Sequence, residues 1–168
     1  MNDHELLDLA ARVGARLQQR QLVLATAESC TGGLIAGAVT AIAGSSTWFD
    51  RGFVTYSYAS KTDLLGVPAA FLDQFGAVSE PVARAMADGA LARSEAGVAV
   101  AVTGIAGPAG GTPDKPVGMV CFGWAMRSRA TEAATMHFSG DRAAVRALTV
   151  RYALEGVLIR LDSYPAGG

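Results

Sequence analysis

Apolar side chains recur at helical spacing near the start of the chain. Leu6, Leu9, Ala10, Val13 and Leu17 fall on one stripe, predicting an amphipathic helix over 4–20. A short apolar run, Leu22 to Ala25, reads as a buried strand, and alanine-rich residues 31–42 read as a second helix ended by Gly44. Residues 52–57, β-branched and aromatic, predict another strand. Short helical segments follow at 60–65 and 71–75. Ser79 and Pro81 open a further helix as cap and first-turn residue, with Val82, Met86, Ala90 and Leu91 on its apolar face. Strands are predicted at 98–102, 117–125 and 130–138. A last helix runs from Asp141 to about residue 161, with Val145, Leu148, Tyr152 and Ile159 on one face, before a tail from Tyr164 to Gly168 expected to fray.

Early strand–helix alternation implies a parallel sheet with helices on both faces, and the final hairpin adds an antiparallel member. The expected fold is α/β: a three-layer α/β/α sandwich with a mixed, mostly parallel sheet. Residues 1–168 read as a single domain without repeats or low-complexity segments.

Composition narrows the function classes. The chain is 51% apolar and 17% charged, with a formal net charge of −1, which favours neither a polybasic nucleic-acid binder nor a disordered tail. The apolar runs are too short and too interrupted to predict a membrane span. The acidic, polar start lacks the basic region of a secretion signal, so a cytoplasmic location is expected. Cys30 and Cys121 are far apart and His4 and His137 are the two histidines, so no metal-ligand spacing exists and no metal or cofactor is expected. Of fourteen basic residues, only Lys61 and Lys115 are lysines.

Both lysines stand in stretches with other signs of chemistry. "TAESCTGG", residues 26–33, sits where a strand gives way to a helix. Ligands gather beyond the carboxyl ends of strands in open α/β sheets. The first turn of a helix offers unpaired N–H groups, and Gly32 and Gly33 let a ligand approach the backbone. Taken alone, this segment is better explained by Ser29 or Thr31 capping the helix while the glycines pack. "VTYSYASK", 54–61, carries Tyr56 and Lys61; lysine, unlike arginine, becomes a base when burial lowers its pKa. "VTGIAGPAGGTPDKPVG", 102–118, is a long glycine- and proline-rich loop bearing Lys115, without a P-loop or dinucleotide fingerprint. Neither histidine is well placed as a base. If Ser29 is a nucleophile, Lys61 is the expected base, with Tyr56 relaying the proton or holding the lysine. Cys30 is a rival nucleophile with no nearby histidine to activate it.

Together "AESCTGG" (27–33), "RGFVTYSYASK" (51–61), "GAVSEPV" (76–82) and "TGIAGPAGGTPDKPVG" (103–118) resemble the CinA C-terminal domain, the nicotinamide mononucleotide deamidase family. The resemblance extends to "FSGDR" (138–142) and departs at Tyr58, where the family commonly has Asn. It implies the stand-alone form, without a molybdopterin-binding-like N-terminal domain. It also implies hydrolysis of nicotinamide mononucleotide to nicotinate mononucleotide and ammonia, with Ser29 as nucleophile, Lys61 and Tyr56 assisting, and Thr103 and Arg142 among the site residues. On that basis Thr31, Gly32 and Gly33 are expected to offer N–H groups to an oxyanion. Gly104, Gly107, Lys115 and Arg142 are expected to bind the substrate, with Arg146 and Arg51 as further candidates for its phosphate. The expected partners are a small nucleotide substrate and a second copy in a homodimer, with neither nucleic acid nor membrane. The rival readings are a non-catalytic nucleotide-binding module, a DNA-associated competence factor and a thiol enzyme using Cys30.

Overall fold

A computed structural model describes residues 3–165; Met1, Asn2 and the end of the expected frayed tail lie outside the described residues. The elements are α1 (Asp3–Arg20), β1 (Leu24–Glu28), α2 (Leu34–Thr40), β2 (Phe49–Val54), α3 (Tyr58–Leu65), α4 (Ala69–Phe75), α5 (Glu80–Ala92), β3 (Val98–Gly104), β4 (Met119–Met126), β5 (Glu132–His137) and α6 (Arg142–Ser163). The five-stranded sheet has the order β2-β1-β3-β4-β5. β1 pairs in parallel with β2 and β3, while β4 runs antiparallel to β3 and β5. It is a mixed sheet in an α/β fold.

Period-two alternation divides the core in two. Val98, Val100 and Val102 of β3 point into the cluster formed with α1, α2 and α6. Ala99 and Ala101 point into the cluster formed with α3 and α5. The small side chains on that second face let α5 lie very close to the sheet. A Cβ placed on Gly123 of β4 would stand 2.4 Å from the Ala83 carbonyl oxygen of α5. On the first face larger groups fill the space: Phe122 and Trp124 stack at 5.6 Å, and Tyr152 packs 4.7 Å from Phe122.

Five expectations shift in the structure. β1 runs on through Glu28, so Ser29 is the first residue past its carboxyl end. α2 starts at Leu34, not Thr31, because Gly32 (φ 59°) and Gly33 (φ 104°) turn the chain left-handed before a right-handed helix begins. β2 occupies Phe49–Val54, which leaves Thr55 to Ser57 as a connection into α3, capped reciprocally by Ser57 and Ser60. Ser79 does precede α5, but its hydroxyl donates to the Gly76 carbonyl and does not cap the helix. Ile159 is 62% exposed and leaves the buried face of α6, which is completed by Val157 and Leu161. A seven-residue spacing drifts about 20° per repeat around a straight helix, so a stripe through Val145 and Tyr152 misses Ile159.

Candidate active site

The site forms where the central parallel strands end. Ser29 leaves β1 with its N–H donating to the Val102 carbonyl of β3 at 3.1 Å. Thr103 is the next residue on β3, and Lys61 enters from α3. Glu28, fully buried, builds the turn: its carboxylate accepts from the Thr31 hydroxyl (2.6 Å) and from the N–H groups of Ile35 (2.8 Å) and Ala36 (3.0 Å). It thereby serves the start of α2, where backbone donors lack helical partners. The arrangement needs an acid at the last position of a strand and two glycines after it, which the segment "ESCTGG" supplies.

Lys61 is 1% exposed and is among the largest fully buried side chains of the described residues. Its Nζ lies 3.0 Å from Ser29 Oγ, 2.7 Å from the Thr55 carbonyl and 3.4 Å from the Tyr56 carbonyl. Burial lowers its pKa from 10.5 to about 8. Two of the three contacts are carbonyls, which only accept. The third is a hydroxyl, which can also donate. A neutral amine satisfies all three: its two N–H bonds meet the carbonyls and its lone pair meets the serine O–H. Cys30, also buried, is pushed the other way; burial raises its thiol to about 11, which disfavours a thiolate.

Ser29, Cys30, Lys61, Thr103 and Gly104 line a cavity of about 170 Å³, closed at one side by Ala77 and Val78. The Thr103 hydroxyl donates to the Ala77 carbonyl (2.9 Å) and the Ala77 N–H donates to the Tyr58 hydroxyl (3.3 Å), so this wall is held from both sides. Ala106 and Arg142 also line a second, open groove of about 650 Å³ that runs past Pro108 and Arg146 to the start of α6. Arg142 stands at the boundary, donating to the Gly107 carbonyl (2.8 Å) and the Tyr56 hydroxyl (3.2 Å).

Other residues singled out from the sequence sit differently. Tyr56 also lines the cavity, but it is 64% exposed: its backbone carbonyl meets Lys61, while its hydroxyl accepts from Arg142. Lys115 donates to the Phe75 carbonyl at the end of α4 and is not part of the cavity wall. Arg51 pairs with Asp50 and donates to the Arg93 carbonyl just ahead of β3, at the opposite end of the sheet. Of the amides expected to meet an oxyanion, Gly32 N–H donates to the Ser29 carbonyl at 3.1 Å, while those of Thr31 and Gly33 donate to no backbone carbonyl among the described residues. Cys30 N–H donates to no other residue among the described ones, and Cys30 lines the cavity. The carbonyls of Thr55 and Tyr56 were not legible as site groups, because every residue type carries one.

Residues 6–161 match the CinA C-terminal domain family. This chain belongs to that family. It is 52% identical, over 94% of its length and 96% of the relative's, to the nicotinamide-nucleotide amidohydrolase PncC of Enterobacter agglomerans. It is 53% identical over 89% of its length to a CinA-like protein of Akkermansia muciniphila, of which it spans 36%. Among solved structures, the competence/damage inducible protein CihA of Agrobacterium tumefaciens superposes with a TM-score of 0.91 at 49% identity, covering 97% of this chain and 98% of that one. The family members thus include both proteins of this length and longer ones.

Proposed function

We propose that this protein is a nicotinamide-nucleotide amidohydrolase that converts nicotinamide mononucleotide and water to nicotinate mononucleotide and ammonia. The observation that carries the reading is the buried Lys61 Nζ 3.0 Å from Ser29 Oγ, with its pKa brought down to about 8. Relatives of the same length at about half identity bear that activity in their names. Neutral Lys61 takes the Ser29 proton as Oγ attacks the carboxamide carbon. The resulting oxyanion is met by the N–H of Cys30. Lys61 then gives that proton to the amide nitrogen, the C–N bond breaks and ammonia leaves. Water, deprotonated by the same amine, attacks the acyl-serine; the ester bond breaks, the proton passes back to Ser29 Oγ, and the acid leaves as its carboxylate. Each step is served by groups of this chain, with no call on a metal or cofactor.

The nicotinamide ring occupies the small cavity between Cys30 and the Ala77–Val78 wall. The ribose and phosphate extend past Arg142 into the open groove, where a guanidinium offers paired donors to phosphate oxygens. Arg142 holds Tyr56 at the rim, so Tyr56 shapes the entry and does not relay the proton. A near-neutral surface fits a small-molecule substrate and not a nucleic acid. The exposed Leu34, Val54, Tyr58 and Phe71 support a homodimer, and the free Cys30 and Cys121 fit a reducing, cytoplasmic compartment.

Ammonia release from nicotinamide mononucleotide, by the parent protein and by Ser29→Ala, tests the reading. Release that disappears with Ser29→Ala, while the variant still binds the nucleotide, supports it. Binding without turnover in the parent protein would replace it with a nucleotide-binding module.

A further inference from the structure

Arg142 and Arg146 stand one helical turn apart on α6 and both face the open groove. They hold different things. Arg146 Nε donates to the Cys30 carbonyl and its Nη2 to the Thr31 carbonyl, each at 3.2 Å. One guanidinium from near the end of the chain therefore grips two consecutive peptide groups just after Ser29.

Peptide planarity turns that grip into a statement about N–H directions. In a trans peptide the C=O and the following N–H point opposite ways. With the Thr31 carbonyl held toward α6, the Gly32 N–H points away from it, and it donates to the Ser29 carbonyl at 3.1 Å. That bond fixes the Ser29 carbonyl, and the same planarity aims the Cys30 N–H away from Gly32. Gly32 takes φ 59°, so the chain turns left-handed directly after the two peptides that Arg146 holds. Glu28 secures the other side of the turn through the Thr31 hydroxyl. The direction of the amide that follows the nucleophile is thus set by a chain of contacts beginning at Arg146.

We propose that Arg146 is a positioning residue that orients the Cys30 N–H as the oxyanion donor for reaction at Ser29. This rests on the amidohydrolase reading and extends it to a residue outside the small cavity. Arginine is required because a planar fork reaches two carbonyls at once, whereas an ammonium is a point donor. A misdirected oxyanion donor costs about as much as a missing one, about 100-fold in kcat.

The variants Arg146→Met, Arg146→Lys and Arg146→Ala test it, with steady-state ammonia release from nicotinamide mononucleotide as one readout. Arg146→Met and Arg146→Lys should each lower kcat about 100-fold while KM stays within about threefold. Guanidinium ion added to Arg146→Ala should restore part of kcat. A raised KM with unchanged kcat would make Arg146 a substrate contact and overturn the proposal; a loss of kcat that guanidinium does not relieve, accompanied by reduced stability, would also overturn it. The second readout is the acylation burst of Ser29 with p-nitrophenyl acetate, which forms an oxyanion at the same place without needing the nucleotide. A burst slowed about 100-fold by Arg146→Met supports the role even if the parent protein releases no ammonia, which would sink the substrate assignment alone. An undiminished burst in Arg146→Met sinks the role while leaving ammonia release by the parent intact. Absence of any Ser29 burst in the parent protein overturns both.

Discussion

Lys61→Met should make the protein inactive and, near neutral pH, more stable. Methionine has about the length of the lysine stem and carries no charge. The native pKa of Lys61 is lowered from 10.5 to about 8, and the side chain is 1% exposed. A difference of about 2.5 units corresponds to about 3 kcal/mol. The sign follows from proton counts. Between about pH 8 and 10.5 the unfolded chain holds a proton on Lys61 that the native state has lost, so stability rises with pH there. Below about pH 8 both states are protonated and the native state bears the full cost of a buried ammonium; above 10.5 the cost is gone. Methionine removes that cost and forfeits the hydrogen bonds to Ser29 and Thr55, a loss of about 1–2 kcal/mol. The variant should therefore be more stable than the parent by about 1–2 kcal/mol at about pH 7. The pH-dependent part of the difference falls from about 3 kcal/mol at pH 7 to about 1 kcal/mol at pH 10. Urea unfolding of both proteins at several pH values measures it, and contributions from other titrating groups largely cancel in the difference. The kcat/KM of the parent enzyme should rise about tenfold per pH unit below about pH 8 and then level off, reporting the same ionisation. A stability difference that stays constant from about pH 7 to 10, or a flat rate profile over about pH 6–9, would refute a lysine with a lowered pKa.

Glu28→Ala should unfold with at least about 3 kcal/mol less stability, since the Thr31 hydroxyl and two N–H groups of α2 lose their acceptor; calorimetry should show a Tm lower by about 6–12 °C. Gly123→Ala should cost about 1–3 kcal/mol in chemical denaturation, because the added Cβ meets backbone of α5 at 2.4 Å. Gly37→Ala, on a helix face with nothing within 4 Å of the new Cβ, is the control and should be neutral or slightly stabilising.

The legible part of the site was the part carried by side-chain identity. A lone serine between an acid and two glycines, and a lysine in a chain that otherwise uses arginine, marked Ser29 and Lys61 as candidates. Their distance was not legible, since 32 residues separate them and the connecting strand β2 was expected three residues too late. Hydrophobic runs locate strands well and their ends poorly: Thr55 to Ser57 look as strand-like as Phe53 but lie past the last sheet pairing, where their carbonyls turn to Lys61. Lys115 shows the converse. Its setting in a glycine-rich loop suggested substrate, and the fold uses it to tie that loop to the end of α4.

The order of elements, the two-sided burial of the sheet and the candidate residue types were legible in local pattern, because alternation, helical spacing and glycine conformations act over a few residues. Strand order, the burial of Lys61 and the grip of Arg146 on the turn were decided by tertiary structure alone. A pKa depends on how much water surrounds an amine, and the shape of a turn on which groups hold its carbonyls. Both are set by residues remote in sequence: α3 brings Lys61 to Ser29, and α6 brings Arg146 across 116 residues to Cys30.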